Sequence, residues 1–300
     1  MDPQTALFQK HRPRLFGLAY RMLGTPGDAE DALHDAWLRW HAQDTTALDD
    51  PEAWLVTVTT RIALDRLRRL QREREHYTGP WMPEPLIADA DQPEAQFERS
   101  ETLTMSFLLL LERLSAEERA AFLLQEIFDY SHAETAAMLG ISEDACRQRV
   151  HRAKARVREG RVRFEVNAAN QQRLLQRFAE AMEQPNLATL RALFAEDAVH
   201  LADGGGLVRA TLRPLHGADR LAQLYLQIAL RQRVDAAWRY ELHTINGEPA
   251  LLVWDGERLT TACWVQTDGE HIVAISHLRH PAKLERLEAV TKARSATSLH

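Results

Sequence analysis

Cysteine is nearly absent from the 300 residues: Cys146 and Cys263 are the only two. That number rules out a disulfide framework and a cysteine-based zinc site, and it makes the reducing cytosol the default compartment. No run of about 18 apolar residues occurs, so no helical membrane span is expected. The opening Met1-Asp2-Pro3-Gln4 lacks the charged and apolar segments of a secretory signal. Excess positive charge is missing too. The formal net charge is −6, which is awkward for a chain gripping nucleic acid alone, because phosphate neutralisation drives non-specific affinity. Either the basic surface is segregated or another macromolecule supplies most of the grip.

The stretch from Leu114 to Arg163 holds the strongest pattern. Ser115 and Glu118 have capping-box spacing, and so do Ser131 and Glu134. The second helix stops at Leu139, with Gly140 placed for a left-handed cap. Ser142 can cap a third helix whose first turn carries Glu143 and Asp144. Helix, glycine turn, helix outlines a helix-turn-helix. At about 100° per residue, Cys146, Val150, Ala153 and Val157 form one face of the third helix. Arg147, Gln148, His151 and Arg158 form the other, with Arg152 and Lys154 at the edges. Arginine can read guanine, glutamine can read adenine, and flanking cations hold phosphates. A solvated basic face is the plainer reading. The two capped helices and the turn ahead of it favour DNA.

Residues 1–75 read as helical. One apolar helix stops near Gly24-Thr25-Pro26-Gly27, and Asp28-Ala29-Glu30-Asp31 opens another that runs past Trp37 and Trp40. A polar loop, His41–Asp49, precedes Asp50-Pro51, a cap followed by proline at the first helical position. The next helix contains Trp54 and ends in arginines. In this order, Leu18–Gly24, Asp28–Asp31, Trp54-Leu55 and Arg61–Arg68 resemble region 2 of bacterial extracytoplasmic-function (ECF) sigma factors. The helix-turn-helix resembles their region 4. The resemblance covers about the first 165 residues.

It implies that Asp28, Asp31 and Asp35 meet the clamp helices of core RNA polymerase, with region 4 reaching the flap. It further implies that Trp54, Thr57, Thr60, Arg61, Asp65 and Arg68 meet the −10 element. Arg147, Gln148, His151, Arg152 and Lys154 would read the −35 element. Strand opening needs an aromatic wedge beside cations that hold displaced backbone, which the tryptophan helix could supply. Helix-bundle core is an equal use for Trp37, Trp40 and Trp54.

Residues 76–98 are a linker. The alternating prolines of Tyr77-Thr78-Gly79-Pro80-Trp81-Met82-Pro83-Glu84-Pro85 exclude helix, and its large apolar side chains would be wasted in free solvent. Trp81, Pro83, Glu84 and Pro85 are similar to the linker of the sigma subgroup that carries a C-terminal SnoaL-like domain. The same likeness extends to Asp203-Gly204-Gly205-Gly206 and to Pro281, Lys283 and Leu284. His280 and Ala282 depart from that subgroup's Asn-Pro-Asp-Lys-Leu pattern. A loose hairpin turn is the simpler reading of the glycine run.

From Asn167 the pattern gives helices and then short strands at Ala198–Ala202, Leu207–Leu215, Trp238–Ile245, Ala250–Trp254, Leu259–Gln266 and His271–Leu278. Asn246-Gly247, Asp255-Gly256 and Asp268-Gly269 mark the hairpins.

The expected architecture is multidomain. A region 2-like helical domain (1–75), the linker (76–98) and a region 4-like helix-turn-helix domain (99–165) precede an α+β cone of SnoaL/NTF2-like type (166–300). The expected function is promoter-specific transcription initiation as a sigma factor, modulated in cis by the cone. Promoter DNA and core polymerase are the partners, a small molecule in the hollow of the cone is a candidate one, and no cofactor, metal or membrane is called for. Two rivals stand: a one-component helix-turn-helix regulator with a ligand domain, and a SnoaL-type enzyme. For the enzyme, His200, Asp203, His216, His243, His271 and His277 are available as acid or base, without a nucleophile triad or metal spacing.

Overall fold

The computed structural model describes residues 2–44, 48–86, 103–161, 167–233 and 237–297. Expectations for the middle of the His41–Asp49 loop, for linker residues 87–98 and for 99–102 and 162–166 fall outside these. The described chain divides into two compact units. The first takes residues up to His76, Leu103 and 107–159. The second takes 77–86, Thr104–Ser106 and the residues beyond 160.

In the first unit, α1 (Pro3–Leu23), α2 (Pro26–His41) and α3 (Pro51–Arg74) pack pairwise. Their boundaries follow from local chemistry. Asp2, Thr25 and Asp50 cap the three N-termini, each with proline in the first turn, and Gly24 closes α1 at φ 83°. Leu15, Leu18, Met22, Leu33, Trp40, Leu55 and Leu67 are buried between them. Then come α4 (Met105–Leu111), α5 (Ala116–Glu126), α6 (His132–Leu139) and α7 (Glu143–Arg161). Both expected capping boxes form, at Ser115/Glu118 and Ser131/Glu134. Gly140 is left-handed, and Ala121, Ala136, Cys146 and Val150 make a small core under the turn.

In the second unit, α8 (Ala168–Glu183) and α9 (Leu187–Ala192) lead into β1 (Phe194–Asp203) and β2 (Leu215–His216). Next come α10 (Ala218–Gln232), β3 (Trp238–Ile245), β4 (Glu248–Asp255), β5 (Arg258–Thr267), β6 (Ile272–Leu278) and α11 (Pro281–Thr297). The sheet order is β2-β1-β6-β5-β4-β3, with β1 and β6 parallel and the other pairs antiparallel. One face carries α8, α9 and α10 over Leu251, Cys263, Val265 and Ile275. Along β4 and β5 nearly every residue is buried, because α11 covers the opposite face, with Leu284 and Leu287 buried and Lys292 over the Trp254 ring.

Two expectations need correction. Residues 207–214 are not a strand: only Leu215–His216 pairs with β1. Gly205 and Gly206 at φ 59° and 73° turn the chain out of the sheet, and Pro214 lacks the N–H a ladder needs. Helix α11, absent from the strand-based reading, follows Pro281 at a helix-starting position.

Candidate nucleic-acid interface and linker clamp

The exposed face of α7 assembles as its spacing predicts. Arg147, Gln148, His151, Arg152 and Lys154 are all exposed, while Cys146, Val150, Ala153 and Val157 are buried. Several of the cations are held by acids of the same unit. Arg147 pairs with Glu143 at 2.7 Å, Lys154 with Glu126 at 2.8 Å, and Arg152 with Glu118 at 3.2 Å. Glu118 also receives Arg156, and its carboxyl lies below the ordinary range: burial raises it, and the Ser115 N–H and the two arginines outweigh that. Among the described residues, the side chains of Gln148 and His151 form no hydrogen bond or ion pair, and both are exposed.

The residues matched to −10 recognition lie along α3. Trp54 is half-buried against Trp40, ring centroids 5.6 Å apart, and Trp40 is fully buried, its Nε1 donating to the Gln4 carbonyl at 2.9 Å. Thr57 donates its hydroxyl to the Ala53 carbonyl, and Thr60 is fully buried with no hydroxyl partner among the described residues. Asp65 is exposed and pairs with Arg68 at 3.0 Å.

Arg61 and Arg68 are engaged elsewhere in the unit. Arg61 Nε donates to the Met138 carbonyl at 2.8 Å, so its guanidinium sits on the negative C-terminal end of α6. Arg68 Nε meets Glu117 of α5 at 2.9 Å. Arg14 lies over the rings of Phe128 and Tyr130 and donates to the Phe128 carbonyl at 3.2 Å. Glu112 is held between Arg74 (2.8 Å) and fully buried Arg119 (2.7 Å), which also donate to the Leu23 and Met22 carbonyls closing α1. Sequence reading missed this whole layer, because nothing local marks an arginine as the cap of a helix distant in the chain.

On α2, Asp28 accepts from Thr25 Oγ1 at 2.6 Å. Asp31 and Asp35 both face Arg66, at 3.3 and 2.7 Å. The exposure of Asp31 (72% for its side chain) leaves one carboxylate edge to solvent.

The linker and C-terminal motifs converge within the second unit. Asp203, fully buried, accepts from Tyr77 Oη (2.6 Å), the Met82 N–H (2.9 Å) and Lys283 Nζ (2.7 Å). Lys283 also donates to the Met82 carbonyl at 2.6 Å, and its ammonium lies 4.3 Å from the centroid of the Trp81 ring. Pro83 and Pro85 are buried, Glu84 is half-buried, and Leu284, in the first turn of α11, is buried. The helix start at Pro281 delivers Lys283 to this point.

The glycine run has a steric reason. A Cβ on Gly204 would lie 2.7 Å from the Val208 carbonyl oxygen. One on Gly205 would lie 2.2 Å from His280 Cδ2, and one on Gly206 would lie 3.0 Å from Thr78 Cβ.

Two further anchors were not foreseen. Asn246, at φ 53°, uses its side-chain carbonyl to hold the Leu86 N–H at 2.8 Å. Glu248, almost fully buried, accepts from the Ser106 N–H (2.8 Å) and hydroxyl (2.9 Å), and burial pushes its carboxyl up to about 7.

Behind the sheet, a cavity of about 650 Å³ opens between α8, α10 and the concave strands. At its wall Tyr225 Oη bridges His200 Nδ1 and His277 Nε2, both at 2.8 Å. Burial lowers the His200 imidazole to about 4 and holds His277 well below its ordinary value, so both rings are neutral at pH 7. His216 and His271 do not line this cavity, and His243 pairs with Glu241 at 3.3 Å. Among the described residues no metal-binding cluster of His, Cys, Asp or Glu occurs, and no helix is long and apolar enough to cross a membrane.

With this geometry in place, comparison with known proteins is informative. The sigma-70 region 2 family matches residues 7–73 and the sigma-70 region 4 family matches residues 104–157. The chain is 35% identical over 245 residues to the ECF RNA polymerase sigma factor SigJ of Mycobacterium tuberculosis, covering 80% of this chain and 78% of SigJ. It is 28% identical over 291 residues to that organism's probable ECF sigma factor SigI, covering 96% and 97%. The crystal structure of SigJ matches with a TM-score of 0.73 at 31% identity, over 94% of this chain and 98% of that one.

Proposed function

Because the chain belongs to the ECF RNA polymerase sigma factors, we propose that it directs promoter-specific initiation from a closed resting state, with its C-terminal SnoaL-like unit governing the opening. The observation that carries this reading is the engagement of Arg61 and Arg68. Both are matched to −10 contact, and both are tied to the region 4 helices α6 and α5. A rise of about 3.4 Å per base pair separates elements roughly 25 base pairs apart by about 85 Å. A compact unit of this size has a radius of gyration of about 14 Å. It cannot present α3 and α7 to both elements at once, so regions 2 and 4 must part.

On this reading Asp28, Asp31 and Asp35 meet the polymerase clamp helices, and partial pairing with Arg66 keeps two of them oriented. Trp54, Thr57, Thr60, Arg61, Asp65 and Arg68 serve the −10 element once α3 is uncovered. Arg147, Gln148, His151, Arg152 and Lys154 serve the −35 element. The cytoplasm is the compartment where such a subunit works.

Segment 77–86 lies between regions 2 and 4 in the chain. Holding it through Asp203, Lys283 and Asn246 restrains the separation the two regions reach. A small molecule in the cavity would act on this equilibrium through its differential affinity for the two arrangements. Cavity and clamp share strand ends: Ala202 and Arg279 line the cavity, and Asp203 and His280, the next residues along, belong to the clamp. We read the cone as regulatory rather than catalytic, since its buried histidines are neutral and tied to one tyrosine.

The test is run-off transcription with core polymerase and a cognate promoter. It compares the full chain, the chain ending at Phe164, and the full chain with Asp203→Asn. Expected is a change in promoter-dependent output for both altered chains. Equal output from all three removes the regulatory role.

A further inference from the structure

The cavity of the second unit has a one-sided charge. Its wall includes Arg209, Arg220, Arg231 and Arg279, and among the described residues no aspartate or glutamate lines it. Among the described residues none of these four guanidiniums pairs with a carboxylate. Arg279 is the most enclosed: burial alone lowers its basicity, and its Nη1 donates to the Arg209 carbonyl. A guanidinium carries five donors in a planar fork, so one carbonyl leaves most of that fork unanswered. A cation partly withdrawn from water without a counter-charge is destabilised, and an anion entering the cavity offsets that cost.

The rest of the wall sets the other half of the ligand. Phe178, Met182, Leu224, Ile228 and Val253 give an apolar lining. The histidines add no charge, being neutral. The chain His200–Tyr225–His277 uses one tyrosine proton and one ring proton internally. It therefore offers one N–H at one end and one lone pair at the other, whichever way it is oriented. That is a means of orienting a ligand rather than of binding charge.

We propose that the cavity binds a small amphipathic anion, an apolar body bearing a carboxylate or similar group, with the anionic end on Arg279. A volume of about 650 Å³ falls in the range of cavities that enclose most of a small-molecule ligand. This deepens the reading of the cavity as a ligand site and is independent of the transcription role.

The experiment is direct binding to the purified full chain. The probes are 8-anilinonaphthalene-1-sulfonate and its neutral counterpart N-phenyl-1-naphthylamine, with octanoate and octan-1-ol as competitors. Expected is tighter binding of the sulfonate by about tenfold or more, the worth of one charge-assisted hydrogen bond. Octanoate displaces it and octanol does not. Arg279→Gln removes the preference for the anion while the neutral probe binds as before, and Arg279→Lys restores part of it. Arg220→Gln, at an exposed wall position, reduces the preference without risk to the fold. Equal affinity for the two probes in the native chain, or an unchanged preference in both glutamine variants, overturns the anionic class. Binding of neither probe overturns the ligand-site reading itself. Both results are read without polymerase, so they are distinct from any failure in transcription.

Discussion

Asp203→Asn removes one charge and one acceptor oxygen from a point where three donors meet. Native Asp203 accepts from Tyr77 Oη, the Met82 N–H and Lys283 Nζ, at 2.6, 2.9 and 2.7 Å. Asparagine retains one oxygen and turns an amide N–H₂ toward groups that are themselves donors. Losing one partner of a buried ion pair costs about 3–5 kcal/mol. Lys283 keeps its bond to the Met82 carbonyl and its place over Trp81, so the lower end of that range applies. About 3 kcal/mol is roughly a hundredfold in the opening equilibrium. The assay is hydrogen exchange of the Met82 and Leu86 amides in the full chain. Met82 should exchange about a hundred times faster. Leu86, held by Asn246, should follow in the same direction by less. Native protection at Met82 in a folded variant would refute the claim that this carboxylate holds the linker.

Gly205→Ala should loosen the same clamp by about 1–3 kcal/mol, since its backbone is left-handed and the added methyl meets His280; thermal unfolding and Met82 exchange both read this. Arg147→Ala and Gln148→Ala should weaken use of a cognate promoter by about 1–3 kcal/mol each at the matching −35 positions, measured by transcription from −35 variants; an unchanged −35 preference rejects the readout face. Stability against pH carries two opposing contributions. His200, lowered from 6.5 to about 4, gives stability that is full above about pH 6.5 and is lost as the pH falls toward 4. Glu248, raised from 4.5 to about 7, gives stability that is full below about pH 4.5 and is lost as the pH rises through 7. Each of these two shifts corresponds to about 3 kcal/mol, so they oppose each other between pH 4.5 and 6.5, while His277, also lowered by burial, adds to the His200 slope. Glu248→Gln should expose the His200 slope there in urea unfolding followed by tryptophan fluorescence, and a curve parallel to the native one rejects the assignment.

Local signals carried much of this architecture. Ser115, Ser131, Asp50 and Gly140 set helix ends through bonds spanning a few residues, so their roles are legible from spacing. The exposed face of α7 is equally local, because helical periodicity alone separates Val150 from His151. The strand assigned to 207–215 failed because alternating apolar residues mimic a strand, while the glycine run and Pro214 forbid one. Arg61 and Arg68 were legible as cations, but not as groups already committed to α6 and α5, which depends on contacts 77 and 49 residues away. The clamp was partly visible: its members were singled out motif by motif. Their convergence on Asp203 depends on the parity of β1, which sends Ala202 to the cavity and Asp203 to the linker.

The closed resting state is tested most directly by the distance between regions 2 and 4. Dyes placed at Arg39→Cys and Arg158→Cys, exposed positions on α2 and α7, leave the buried Cys146 and Cys263 unlabelled. Resonance energy transfer should be high in the free chain and should collapse when core polymerase and promoter DNA are added. High transfer that persists in a complex producing run-off transcript would contradict the account.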